Sequence, residues 1–216
     1  DNFVVGENRE LVAFLRSPKA GFRGVWISGP RSSGRTHLLQ AHCRAVLQSG
    51  RQAVYLDLAQ RAQDASAQIQ RVIDEASASD ALVVLDNLGQ LQRDKQQEEI
   101  LMLIYQSLHA AEGEMLVCHE QSALGVEFDL PDLNSRMRGF AHFALVPLRD
   151  QGKAEVLTQR ARAKGYDLPE AVLEYWLRRG PRDLSTFVRD LERLDQATLT
   201  HQRLLTVPLL KQVLGY

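Results

Sequence analysis

Eight residues, Gly29-Pro30-Arg31-Ser32-Ser33-Gly34-Arg35-Thr36, constrain this chain more than any other part of it. They fit the spacing G-x-x-x-x-G-K-[ST] at every fixed position except the lysine, which is Arg35. An apolar, β-rich run (24–28) precedes them and a helix-like run (36–48) follows, the context in which such a loop cradles phosphate. Glycines let the backbone curl around phosphate oxygens, and the start of the following helix offers free N–H groups and a positive dipole end. The expected nucleotide contacts are Pro30, Arg31, Ser32, Ser33, Gly34, Arg35, Thr36 and His37, with the Thr36 hydroxyl as a ligand for Mg²⁺. Arg35 keeps the charge of the missing lysine but replaces a compact ammonium with a larger planar fork, which burdens turnover more than binding. The plain alternative is a Gly/Ser turn joining a strand to a helix.

A second element reinforces the first. Val83-Val84-Leu85-Asp86-Asn87 is a hydrophobic run closed by a carboxylate, as expected of a strand that holds Mg²⁺ through Asp86. An efficient ATPase carries a second acid after it to orient or deprotonate water, and Asn87 cannot take that proton. Slow intrinsic hydrolysis is therefore expected. Asp86 as a mere helix cap after a buried strand is the competing reading.

The first half alternates short apolar runs (24–28, 53–58, 81–85, 115–119, 142–146) with helix-like segments such as 36–48 and 96–110, the pattern of a parallel sheet with crossover helices. After Pro147 strand-like runs stop, and helices are expected at 151–163, 169–179, 182–196 and 208–214, punctuated by Gly165, Gly180 and Pro181. The predicted organisation is an α/β domain over 1–147 and a small all-helical domain over 148–216. The segment 60–70 is rich in Ala and Gln but is no repeat.

Composition narrows the function classes. With 44% hydrophobic and 25% charged residues and a formal charge of −1, the chain has no cationic excess to drive counterion release on DNA. Cys43 and Cys118 are far apart and lack C-x-x-C spacing, and His37, His42, His109, His142 and His201 lack metal-ligand spacing, so zinc chemistry is not indicated. No apolar run approaches the length of a membrane span, and an unexported, cytoplasmic protein is expected. The first residue is Asp, so some N-terminal sequence is expected to be missing.

Five features in order resemble the AAA+ replication-initiator family: Phe3-Val4-Val5-Gly6, the phosphate loop, Leu85-Asp86-Asn87, Leu133-Asn134-Ser135-Arg136-Met137, and Arg182-Asp183-Leu184. Together they span nearly the whole chain. The resemblance implies an AAA+ P-loop NTPase fold, a five-stranded parallel sheet sandwiched by helices and followed by a helical lid. It implies that Val4 and Val5 wrap the adenine, that Arg182 is the sensor 2 arginine, and that Arg136 is an arginine finger reaching the γ-phosphate on a neighbouring subunit. Arg138 is a second candidate for the finger. The sensor 1 position falls on His119 or Glu120, of which Glu120 is preferred.

Within that family the Hda branch is the better likeness. Leu191-Glu192-Arg193-Leu194-Asp195-Gln196-Ala197-Thr198 and Leu205-Thr206-Val207-Pro208 follow its wording, and no helix-turn-helix domain follows Tyr216. The resemblance implies a bound ADP or ATP with Mg²⁺, homo-oligomerisation, and action with the DNA-loaded sliding clamp on DnaA-bound ATP, preventing re-initiation. The clamp-binding peptide that precedes the entry motif in that branch is not in this sequence. Two other readings stand beside it: a DNA-loading or remodelling ATPase of the same clade, against which the near-neutral charge and Asn87 count, and a nucleotide-free scaffold, which Arg35 favours and the otherwise intact loop disfavours.

Overall fold

The computed structural model describes residues 3–59, 72, 74–75, 78–91, 94–201 and 205–215. The Ala/Gln-rich segment 60–70 lies outside the described residues. Five parallel strands, β1 (Arg23–Ser28), β2 (Ala53–Asp57), β3 (Leu82–Asp86), β4 (Glu114–His119) and β5 (Ala141–Ala144), form one sheet in the order β2-β3-β4-β1-β5. Every residue of β3 and β4 is buried, whereas the edge strands β2 and β5 are only partly covered. That difference explains the sequence pattern, because a parallel strand covered on both faces has no solvent side and reads as an unbroken apolar run.

Around the sheet lie α1 (Arg9–Arg16), α2 (Arg35–Gln48), α3 (Lys95–Ala110) and α4 (Pro131–Arg138). The main core joins Trp26, Val83, Leu85, Leu101, Leu108, Met115 and Val117 with Leu133 and Met137 of α4. At the start of β1, a Cβ on Gly24 would lie 2.3 Å from the Phe140 ring, so only glycine lets that ring seat against the strand. Sequence periodicity missed α1 and α4, each of eight residues. In α1 the apolar stripe is Leu11, Val12 and Leu15, and Arg23 closes its end by donating to the carbonyls of Phe14, Leu15 and Ser17. In α4 only Leu133 and Met137 are buried, one i,i+4 pair behind a proline at the helix start, which leaves little periodic signal.

The described residues form two compact units, one within Asn8–Val146 and the other within residues 147–215 together with residues 3–7. In the second unit α5 (Asp150–Ala163), α6 (Glu170–Arg179), α7 (Leu184–His201) and α8 (Val207–Leu214) surround Leu157, Trp176, Phe187, Leu191, Leu194 and Leu210. Trp176 and Phe187 meet edge to face at 5.2 Å. A Cβ on Gly180 would lie 2.6 Å from the Trp176 carbonyl oxygen, which fixes a glycine at the turn between α6 and α7. Helix α7 begins at Leu184 rather than at Arg182, because Asp183 is its cap: the carboxylate accepts from the Thr186 N–H at 2.9 Å and the Ser185 hydroxyl at 2.7 Å. Those hydrogen bonds hold the Asp183 carboxyl below its ordinary range. Among the described residues no helix is long and apolar enough to cross a membrane.

Candidate functional site

At its C-terminal end β1 runs directly into the glycine loop, and α2 starts at Arg35 with Gly34 in the left-handed region at φ 95° before it. Ser32 also has positive φ, at 60°, so the loop backbone curls as a phosphate cradle requires. Gly29 is closely hemmed: a Cβ there would lie 3.0 Å from the Leu145 carbonyl oxygen and 3.1 Å from the Ser33 hydroxyl. The Ser33 hydroxyl is buried without a hydrogen-bond partner, an oxygen inside the loop that is not consumed by the fold. His37 lies in the first turn of α2, partly exposed.

Parallel pairing then places the end of β3 beside this loop. Asp86 is 2% exposed, and its Oδ2 accepts from the Thr36 hydroxyl at 2.6 Å and from the Tyr55 hydroxyl at 2.8 Å. Its Oδ1 accepts from the Asn87 N–H at 2.8 Å, with Asn87 itself at φ 59°. Burial, reinforced by the hydrogen bond to Asp86, pushes the Tyr55 phenol well above its ordinary value, so it stays a donor at any physiological pH. The Asn87 amide in turn donates to Asp57 Oδ1 at 2.8 Å, across the register pair Asp57 and Asp86.

The far wall of the loop comes from the end of β4. Glu120 Oε1 lies 2.7 Å from Arg31 Nε and 3.7 Å from Arg35, whose side chain is largely covered while Arg31 is open to solvent. The Arg31 hydrogen bond holds the Glu120 carboxyl below its usual range. His119 is buried, its Nδ1 accepting from the Gln121 N–H at 2.8 Å, and burial pushes its pKa down so that the ring is neutral. Arg31, Ser32, Arg35, Asn87, His119 and Glu120 together line one cleft. Both candidates for the sensor 1 position therefore face it.

Arg136 is on α4, not in a loop, half-exposed, with Asp132 3.9 Å away and the Tyr105 ring 5.6 Å below its guanidinium. It shares a second cleft with Phe22, Gly24, Tyr105 and Phe140, at the start of β1. Four residues of β1, Val25 to Ser28, separate Gly24 in that cleft from Gly29 of the glycine loop, about 16 Å of strand. Arg136 therefore belongs to the opposite end of the sheet from its own loop. The segment leading into α4 is pinned by two polar groups, buried Glu98 and partly buried Asn134: Glu98 accepts from the N–H groups of Asp129 and Leu130 at 3.2 and 2.9 Å, and Asn134 exchanges hydrogen bonds with the Phe128 backbone at 2.9 and 2.7 Å. Arg138 is exposed on the same helix.

In the second unit, Val4 and Val5 precede a turn at Gly6 (φ 54°), in irregular backbone rather than an edge strand, and Arg182 is exposed just ahead of the Asp183 cap. The structure thus gathers Ser33, Arg35, Thr36 and Asp86 into one site and places Arg136 away from it. Sequence reading overlooked Tyr55, Asp57 and Glu98. For the first two a signal existed, since polar residues two apart at the C-terminal end of a parallel strand share a face at the edge where such sheets bind ligands.

Comparison with known proteins agrees with this geometry. Residues 150–214 match the family model described as the lid domain of Hda. Domain III of the DnaA replication initiation protein of Thermotoga maritima superposes with TM-score 0.81 at 17% identity, over 99% of this chain and 94% of that one. AMPPCP-bound DnaA of Aquifex aeolicus gives 0.70 at 19%, over 91% of this chain and 63% of that one. The RuvB Holliday junction branch migration motor of Thermotoga maritima gives 0.66 at 12%, over 89% and 61%. The chain spans nearly all of the isolated DnaA domain but under two thirds of the latter two chains. The chain thus has the fold of DnaA domain III, and within it residues 150–214 match the lid domain of Hda.

Proposed function

We propose that this chain is a nucleotide-binding regulator of replication initiation, holding ADP or ATP in the loop 29–36 and offering Arg136 in trans to ATP bound by a DnaA partner. The observation that carries the nucleotide reading is the Thr36 hydroxyl donating to the buried Asp86 carboxylate at the mouth of the glycine loop. A hydroxyl that gives its hydrogen to a carboxylate keeps its lone pairs available, and hydroxyl and carboxylate oxygens are the hard donors that suit Mg²⁺. Thr36 and Asp86 would hold such an ion, which when bound neutralises phosphate charge. Arg35 stands at the phosphate end of the loop, and Arg182, Val4 and Val5 are assigned to the nucleotide by resemblance.

Asn87 supports weak intrinsic turnover. Its amide can hold water by hydrogen bonds but is no general base, and one of its two Nδ2–H donors is already given to Asp57. The placement of Arg136 at the far end of β1 from its own loop supports action on a neighbour's phosphate rather than its own. Glu98 and Asn134 support that role by fixing the entry to α4. The sliding clamp, a homo-oligomeric state and suppression of re-initiation complete the reading, and they rest on the lid match and the family resemblance.

The test is stimulation of DnaA-bound ATP hydrolysis in the presence of DNA-loaded clamp. Arg136→Ala is expected to lower stimulation by at least about a thousandfold, the usual worth of an arginine finger, while Arg138→Ala has a smaller effect. Full stimulation by Arg136→Ala would remove Arg136 from the mechanism.

A further inference from the structure

Tyr55 lies on the edge strand β2, outside the loop and outside β3, yet its hydroxyl ends on the same Asp86 oxygen that Thr36 engages. The register explains how it arrives there. Tyr55 pairs with Val84, and Asp86 lies two residues further along the neighbouring strand, opposite Asp57. Two strand residues advance roughly 6.6 Å, a span that a tyrosine covers with its phenolic oxygen and a phenylalanine leaves unbridged. Asp86 is therefore met by two hydroxyls on Oδ2 and one backbone N–H on Oδ1. All three donors are neutral, and among the described residues no ion pair reaches it. The carboxylate is held in orientation by these three donors while no ion pair among the described residues balances it.

We propose that Tyr55 is a positioning residue for a divalent cation, fixing Asp86 Oδ2 against Thr36 so that the Thr36 oxygen and the carboxylate present a preformed hard-oxygen pair. The proposal rests on the reading of 29–36 as a nucleotide site. Tyr55 does not touch nucleotide or metal itself; it acts through Asp86. Without the phenol, Oδ2 keeps a single donor and the carboxylate is free to turn away from Thr36. The metal-dependent part of nucleotide affinity then falls, while the backbone cradle of the loop is untouched.

The experiment titrates the full chain calorimetrically with AMPPCP, in Mg²⁺ and in EDTA, for wild type, Tyr55→Phe, Asp86→Asn and the double variant. The ring remains in Tyr55→Phe, so packing is kept and thermal melting verifies it. The ratio of affinity in Mg²⁺ to affinity in EDTA is expected to drop about tenfold in Tyr55→Phe, the scale of one hydrogen bond to a charged group. Asp86→Asn should lose at least as much, and adding Tyr55→Phe to it should cost nothing further, because the two act in series. An unchanged ratio, an equal loss in both buffers, or losses that add in the double variant would each overturn the proposal. No binding by wild type in either buffer would instead remove the nucleotide reading itself, and the role of Tyr55 with it.

Discussion

Asp86 at the C-terminal end of β3 and Glu114 at the start of β4 are both withdrawn from solvent, and the protein treats them in opposite ways. Glu114 is enclosed by basic side chains: Arg23 is 2.6 Å away, Arg51 3.6 Å and His42 3.7 Å. Burial pushes its pKa up, but hydrogen bonds and charge from His42 and Arg23 outweigh that and hold the carboxyl below its ordinary value. Arg23 also ties the end of α1 to the sheet, so this end is a structural clasp. Among the described residues Asp86 receives only neutral donors, next to a glycine loop. A buried charge that the fold orients but does not neutralise is a place for an external cation.

The largest effect should therefore separate the two by stability. Glu114→Gln leaves the largely buried Arg23 without its counter-charge and is expected to cost about 3–5 kcal/mol in urea unfolding. Asp86→Asn removes an unneutralised buried charge and is expected to cost less than about 1 kcal/mol, or to stabilise, while losing the Mg²⁺ response. Equal costs would erase the distinction between the two ends.

Acid should sharpen the contrast. A carboxyl whose folded pKa is depressed contributes stability that is present above its unfolded value, about 4.5, and lost as pH falls through the lower folded value. Urea midpoints at about pH 5 and about pH 3 should fall further for wild type than for Glu114→Gln. Identical acid slopes would mean that Glu114 is not the group being titrated.

Legibility in the sequence followed the same division. The loop and the central strands could be read because their signals are local: glycine spacing, and the unbroken apolar runs that burial on both faces dictates in β3 and β4. The helix carrying Arg136 leaves little periodic signal because Leu133 and Met137 alone face the core. Glu98 and Glu114 look like ordinary surface acids, and only tertiary pairing buries them. Tyr55 and Asp57 share a face at the C-terminal end of β2, a local signal, but which carboxylate they meet is set by the register of β2 on β3, a long-range fact. Arg182 was placed inside a helix that Asp183 actually starts, since a capping carboxylate outranks the arginine before it.

The smallest effect tests the solvent-facing wall of the loop. Glu120 holds Arg31 and approaches Arg35, two cations that phosphate would also engage. Because Glu120 and Arg31 are open to water, their pairing is weak, and Glu120→Gln is expected to raise nucleotide affinity only about two- to threefold. A large loss of affinity would show instead that Glu120 contacts the nucleotide directly.

The most direct measurement is calorimetric titration of the purified chain with ADP, dADP and CDP in Mg²⁺. A phosphate cradle backed by an oriented, unneutralised Asp86 predicts saturable heat at one site per chain for at least one of them. The absence of heat with all three would contradict the assignment of the glycine loop to nucleotide.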